Sequence, residues 1–257
     1  MDKTTDTIVC RNCSEEIQLK AFIDNLKVCP ACDAHFPMSA QERLNLLVDA
    51  DTFQETDVNL YSIDALEFPE YTDKLERDIT KTGLRSEMLT GTAEIGGYPV
   101  AIAIGDVGFI GGTCGAVIGE KVTRCIEHAG DNNLPLIIVS VSGGMRMQEG
   151  TMALMQMAKT TAACVEYAQK GGFYISVVTD PTFGGATASY TSLGDVIIAE
   201  PGARVGFAGP LAVASLQEEL PENFQKAESL VAHGFIDHII HRNSMQQLLI
   251  DLFSFVY

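Results

Sequence analysis

A chain of 257 residues, 46% of them apolar, is long enough to bury one sizeable core with a small appendage. Its formal charge of −17 repels nucleic acid and anionic membrane in the mean field, and no apolar run reaches membrane-spanning length. The first residues, Met-Asp-Lys-Thr-Thr-Asp-Thr, carry neither a basic flank nor an apolar signal region, so a cytoplasmic location is expected.

Cys10-Arg-Asn-Cys13 and Cys29-Pro-Ala-Cys32 are separated by fifteen residues. Each pair offers two thiolates to one ion, and a spacer of this length lets a hairpin bring the pairs together around tetrahedral zinc. Four thiolates close the coordination sphere and leave no position for a catalytic water, so a single structural Zn2+ is expected. A redox pair would need one such motif beside a βαβ pattern, which this region lacks. The total of seven cysteines is odd and also argues against a disulfide framework. His35 reads as a loop residue. The ribbon is assigned to residues 1–36, and residues 37–257 to the main unit.

Ser39-Ala-Gln-Glu42 matches a capping box ahead of Leu44, Leu46, Leu47 and Val48, so a helix starts there. The acidic segment 51–82 reads as a connection with one or two helices, including Tyr71 to Lys81, and no functional residue. Gly91 to Ile95 and Tyr98 to Ile104 flank Gly96-Gly97, a two-residue hairpin signal. A glycine-rich loop, Gly111-Gly112-Thr113-Cys114-Gly115, then enters a helix whose Ile118, Val122, Cys125 and Ile126 share one face. The loop is not a phosphate loop, because Val122 stands where Ser or Thr would follow the lysine. Cys114 and Cys125 read as small core residues.

Leu136 to Val139, an apolar run, leads into Ser142-Gly143-Gly144-Met145-Arg146 and a long helix. Along that helix Met152, Leu154, Met155, Met157, Ala158 and Ala162 form a stripe expected to pack in the core. Tyr174 to Thr179 is a β-branched run without polar alternation, hence a strand buried on both faces. Asp180-Pro181 is expected to stop it, with Gly184-Gly185 opening a small-residue helix from Ala186 to Ser192. Strand ends, bare glycines and helix N-termini form a cradle of N–H groups aimed at negative charge. Strand, glycine loop and helix recur, which implies an α/β architecture with ligand beyond the strand ends.

The five histidines lie outside the glycine loops and no Gly-x-Ser-x-Gly elbow is present, so a Ser/His hydrolase lacks its parts. Backbone amides without a side-chain nucleophile suit an enolate or tetrahedral oxyanion on a thioester.

The four-cysteine ribbon, Gly-Gly-Thr-Cys-Gly-Ala-Val-Ile-Gly-Glu-Lys, Ser-Gly-Gly-Met-Arg-Met-Gln-Glu-Gly, Leu-Met-Gln-Met-Ala-Lys-Thr, Tyr-Ile-Ser-Val-Val-Thr-Asp-Pro-Thr-Phe-Gly-Gly and Ile-Ala-Glu-Pro together closely resemble the β subunits of bacterial acetyl-CoA carboxylase carboxyltransferases. The likeness runs from Cys10 to Arg242. It implies the crotonase (ClpP-like) fold, a superhelix of ββα turns behind the zinc ribbon. It also implies a role in fatty-acid or related acyl-chain biosynthesis. Amides at the positions of Gly184 and Gly185 would form the oxyanion hole. Gly111, Gly112, Thr113 and Gly115, with Ser142, Gly143, Gly144, Arg146 and Phe183, would line the acyl-CoA site. An α subunit, in an α2β2 heterotetramer, and a biotin carboxyl carrier protein are the implied partners. Carboxybiotin on that separate carrier is the implied carboxyl donor. The biotin anion it leaves is the family's proposed base, which fits the missing histidine.

Two features depart from the family pattern. After Gly209-Pro210 the run Leu211-Ala-Val-Ala-Ser-Leu-Gln lacks the usual arginine, from which weaker coupling to an ordinary α subunit is expected. Phe183 is also bulkier than the usual residue before the glycine pair. The rival readings are a specialised copy acting on another acyl-CoA, a decarboxylase of a malonyl-type thioester, and an RNA-binding ribbon protein. Against the last, residues 1–36 carry more acidic than basic side chains and no aromatic interleaving.

Overall fold

The computed structural model describes residues 7–215, 220–221 and 223–257. At the N-terminus, β1 (Thr7–Val9) and β2 (Glu16–Gln18) pair antiparallel with Ile8 opposite Ile17, and α1 (Leu19–Asp24) follows directly. Ile17 and Phe22 bury against Cys10 and Cys29, and Phe36 meets Phe22 edge to face at 4.9 Å. The ribbon therefore has its own small apolar cluster around the four cysteines.

The capping box forms as the sequence indicates. Glu42 N–H donates to the Ser39 hydroxyl, the Glu42 carboxylate accepts from Ser39 N–H at 2.8 Å, and α2 (Ala40–Leu47) begins. A short β3 (Gln54–Glu55) and α3 (Tyr71–Thr82) lead to β4 (Met88–Ile95) and β5 (Tyr98–Gly105). These two close a hairpin over Gly96 and Gly97, whose left-handed φ values of 58° and 80° a two-residue turn requires.

From β5 onward the sheet is parallel. α4 (Ala116–Asp131) crosses over to β6 (Leu136–Ser142), and α5 (Gly150–Gln169) crosses to β7 (Tyr174–Phe183). Beyond lie β8 (Val196–Ala199), β9 (Val205–Gly206), α6 (Pro210–Ala214), α7 (Ala227–Ala232), β10 (His238–Ile239) and α8 (Met245–Phe253). The strand order is β10-β8-β7-β6-β5-β4-β3, with β9 added onto the far end of β7. Alternation along β5 shows how both faces are filled. Val100, Ile102 and Ile104 meet α2 and α8, while Ala101 and Ala103 turn to α4, and their small size lets that helix approach closely. This is the α/β architecture that the recurrence of strand, glycine loop and helix implies.

Three sequence expectations change. β7 does not stop at Pro181. It continues to Phe183, because Thr182 and Phe183 pair with Val205 and Gly206 of β9, and the proline falls at a register shift between Ser140 and Ser142 where the ladder is already broken. No helix covers Ala186 to Ser192. Residues 184–189 form turns and a 3₁₀ turn takes over at Tyr190–Leu193. The methionine stripe of α5 is not in the core. Ala153, Thr160, Ala163, Cys164 and Tyr167 face inward, and Met152, Leu154, Met155, Ala158 and Ala162 face out. Small residues win the buried face because α5 packs tightly beside α4. Of the altered stretch Leu211 to Leu220, residues 216–219 lie outside the described residues. Among the described residues no helix is long and apolar enough to cross a membrane.

Candidate active site and metal centre

Three glycine loops from distant parts of the chain meet at the C-terminal ends of β5, β6 and β7. Gly143 N–H donates to Gly111 O at 2.9 Å, Cys114 N–H to Gly144 O at 2.8 Å, and Arg146 N–H to Cys114 O at 2.8 Å. The loops 111–115 and 142–146 are thereby zipped together. The third loop abuts the second so closely that a Cβ on Gly184 would lie 2.8 Å from Gly144 Cα. A Cβ on Gly185 would lie against the Met145 thioether and 2.7 Å from Met157 Sδ. Bare glycines are what permit this convergence.

The amides divide into spent and free. Gly184 N–H, expected to serve the oxyanion, is bonded to Gly206 O and Phe207 O, both at 3.0 Å. The β9 strand that extends β7 takes that donor. Gly144 N–H donates to the buried Ser142 hydroxyl at 3.0 Å, so Ser142 shapes the loop rather than facing outward. Gly185 and Met145 N–H have no partner among the described residues. Gly111 and Gly143 are exposed, Thr113 is half-buried, and Gly112, Gly115 and Phe183 are buried.

Arg146, expected to line the site, is 0% exposed and touches no open surface. Its guanidinium donates to Ser62 Oγ at 2.9 Å, Tyr71 Oη at 3.2 Å, Thr113 O at 2.7 Å and Thr113 Oγ1 at 3.2 Å. It pairs with Glu87 at 2.8 Å and with Glu149 at 3.3 Å. Burial alone would lower its pKa, but the carboxylates of Glu87 and Glu149 outweigh that and raise it, so the group stays charged. Burial likewise pushes the Tyr71 hydroxyl up, keeping it a neutral donor to Glu149 Oε1 at 2.7 Å.

The N-terminus of α4 is also occupied. Ala116 N–H donates to Glu149 Oε2 at 2.5 Å and Gly115 N–H lies 3.4 Å from Glu87 Oε1. Protein carboxylates cap this helix, so Gly115 does not present it to an anionic ligand. Ser62, Tyr71 and Asp78, whose carboxylate accepts from Ile110 N–H at 2.8 Å, show that the acidic connection supports the site. The one sequence hint for the hub was Glu149 inside the Ser-Gly-Gly-Met-Arg-Met-Gln-Glu-Gly run. Burial pushes the Cys114 thiol up to about 11 and that of Cys125 to about 12, in keeping with core residues.

The four ribbon cysteines come together as expected. Cys10 and Cys32 Sγ are 3.7 Å apart, Cys13 and Cys29 Sγ 3.8 Å, and all four lie within 4.8 Å of one another. A tetrahedron of sulfurs about 2.3 Å from zinc has edges of about 3.8 Å, so the donor set fits that ion. Asn12 reinforces it, its backbone N–H at 3.4 Å from Cys10 Sγ and its side-chain amide at 3.3 Å from Cys32 Sγ.

The ribbon is tied to the sheet by a buried ion cluster. Glu200, at the end of β8, accepts from Arg43 at 2.8 and 2.9 Å and from Arg242 at 3.0 and 2.7 Å. Arg242 also donates to Leu26 O and Phe36 O of the ribbon at 2.8 and 2.9 Å. Burial would push the Glu200 carboxyl up, but Arg43 and Arg242 hold it well below the usual carboxylate range. His35 is buried here, 3.6 Å from Glu200, and is not a free loop residue. On the surface, Arg11 of the ribbon reaches Asp180 of β7 at 3.7 Å.

The chain is similar to known proteins over most of its length. Residues 38–233 match the carboxyl transferase domain family. The chain is 47% identical over 257 residues to the acetyl-coenzyme A carboxylase carboxyl transferase subunit beta of Rubrobacter xylanophilus, covering 100% of both chains. It is 45% identical over 248 residues to the Desulforamulus reducens protein of the same name, covering 96% of this chain and 86% of that one. Among solved structures it resembles transcarboxylase 12S bound to methylmalonyl-coenzyme A, with a TM-score of 0.73 and 27% identity over 85% of this chain and 41% of that one. A Pseudomonas malonate decarboxylase heterodimer shares the fold at a TM-score of 0.64 and 21% identity, covering 84% of this chain and 86% of that one. The chain therefore belongs to the carboxyl transferase family, among the beta subunits of acetyl-CoA carboxylase carboxyl transferase.

Proposed function

We propose that this chain is the acyl-CoA half of a biotin-dependent carboxyltransferase that converts acetyl-CoA to malonyl-CoA in the cytoplasm. The observation that carries the reading is the convergence of the loops at Gly111, Gly143–Gly144 and Gly184–Gly185, with the amides of Gly185 and Met145 left free. These two donors stabilise the thioester oxygen as the acetyl methyl group loses a proton and the oxygen gains charge. The resulting enolate carbon forms its new bond to carbon dioxide. Carboxybiotin, borne by a separate carrier protein, supplies the carbon dioxide and a base for the methyl proton. This chain's residues bind and orient the thioester and hold the enolate, and no side-chain base is required of them.

Zinc, held by Cys10, Cys13, Cys29 and Cys32, has a structural task. It orders the ribbon, described from Thr7 to Phe36, as a unit docked on the sheet through Arg242 and Arg11, beside the entrance to the acyl-CoA site. The partner is an α subunit that brings the carboxybiotin side. Its seat is the outward face of α5, where Met155 is 61% exposed, and Met147, Met152 and Leu154 extend the patch to the end of the 142–146 loop. A partner covering this patch closes over the cradle, since Met157 of the same helix packs against Gly185.

The test is a malonyl-CoA-dependent carboxylation of biocytin with and without an α subunit, with acyl-CoA binding followed by calorimetry. The isolated chain binds acyl-CoA and transfers nothing, and the pair is active. Carbon dioxide release from malonyl-CoA without biotin would assign the decarboxylase reading instead.

A further inference from the structure

The buried charged hub beneath the glycine loops has no part in the chemistry described above. Arg146 directs its N–H donors to five residues, Ser62, Tyr71, Glu87, Thr113 and Glu149. Two of its contacts are on the first glycine loop at Thr113, while Arg146 itself belongs to the second. Glu149 joins Arg146 to Ala116 N–H, the first helical amide after the first loop, and to the Tyr71 hydroxyl of α3. The segment between ribbon and sheet is thus wired to both loops at once.

We propose that Tyr71, Glu149, Arg146 and Glu87 are a positioning unit that fixes the separation of loops 111–115 and 142–146, and with it the direction of the Met145 amide. The proposal rests on the function proposed above, because the amide it aims belongs to that cradle. Three arguments support it. Met145 N–H is the amide next to Arg146, so a displacement of the guanidinium is passed on by one peptide unit. The loops contain Gly111, Gly112, Gly143 and Gly144, and glycine has the widest backbone freedom, so the side-chain contacts of Arg146 and Glu149 restrict them beyond the three backbone hydrogen bonds that join them. A buried ion pair contributes little net stability relative to apolar packing of the same volume, so the hub's distinctive contribution is fixed geometry.

Tyr71→Phe and Glu149→Gln test this in the complex with an α subunit, each keeping the side-chain volume. Misplacing a reacting group by about 1 Å costs on the order of 10²-fold, and a partial loosening should cost about tenfold. We expect kcat to fall about tenfold in Tyr71→Phe and about 10²-fold in Glu149→Gln, with the acyl-CoA Kd changed less than about threefold. Hydrogen exchange, which needs no activity, should rise about tenfold at residues 111–115 and 143–146 and not in β5 or β6. A purely structural hub would lower Tm and raise exchange across the sheet, leaving kcat of the folded fraction intact. That pattern, or both variants within twofold of wild type in kcat and loop exchange, would overturn the proposal. An inactive wild-type complex whose variants still loosen only the two loops would sink the proposed reaction and leave the coupling of hub to loops standing.

Discussion

Gly184→Ala probes the convergence of the loops at its tightest point. Gly184 has φ of +69°, and a Cβ there would lie 2.8 Å from Gly144 Cα, backbone against backbone. An L-residue in the left-handed region costs about 1–2 kcal/mol, which for a chain of this size lowers Tm by about 2–8 °C. Carbon atoms settle at about 3.5–4.0 Å, so the loops must part by about 1 Å. Because a 1 Å misplacement is worth about 10²-fold, turnover in the biocytin assay with an α subunit should fall about 10²-fold. Gly185→Ala is the companion. Its φ is not left-handed and the atoms nearest its new methyl group belong to the flexible side chains of Met145 and Met157, which can rotate away, so its Tm should stay within about 2 °C of wild type. A Gly184→Ala protein that is folded and turns over at the wild-type rate would refute the argument that loop contact sets the cradle.

Four further outcomes are expected. Metal analysis should find about one zinc per chain, lost in the Cys29→Ser, Cys32→Ser double variant together with protease resistance of residues 7–36. Arg242→Ala removes donors from Leu26 O, Phe36 O and Glu200, and truncating one partner of a buried charge pair costs about 3–5 kcal/mol, readable by denaturant titration. Glu200 has a folded pKa below its unfolded value of 4.5, so its stabilisation is present above pH 4.5 and lost as pH falls toward the folded value. Thermal melts should show wild type losing stability below pH 4.5 more steeply than Glu200→Gln, and equal slopes would contradict this. Met155→Asp places a charge on the exposed apolar face of α5 and should weaken α-subunit affinity at least tenfold, about 1.4 kcal/mol, while acyl-CoA binding is unchanged.

What was legible in the sequence was local. The Cys10/Cys13/Cys29/Cys32 spacing, the Ser39/Glu42 box, the Gly96-Gly97 turn and the Ile118/Val122/Cys125/Ile126 face each depend on residues within one or two elements. The errors arose where the deciding partner was remote. β7 runs past Pro181 because its partner, β9, lies more than twenty residues later, and the same pairing takes the Gly184 amide. Arg146 looks like a ligand arginine beside its glycines, yet its partner Ser62 is 84 residues away in a segment with weak patterning. The stripe on α5 was ambiguous for another reason. The helix is apolar or small nearly all round, so periodicity gave no direction, and tight packing beside α4 selected Ala153, Ala163 and Cys164 for the inside.

Central to the account is that this chain carries half of a shared site, and one titration tests it most directly. An α subunit is added to a fixed amount of this chain, malonyl-CoA and biocytin, and carboxybiocytin is measured at each step while acyl-CoA binding is followed in parallel. Acyl-CoA binding to the chain alone, no transfer at zero α subunit, and activity rising to saturation at a fixed ratio of the two chains is the predicted result. Transfer by the isolated chain, or no acyl-CoA binding without the α subunit, would contradict it.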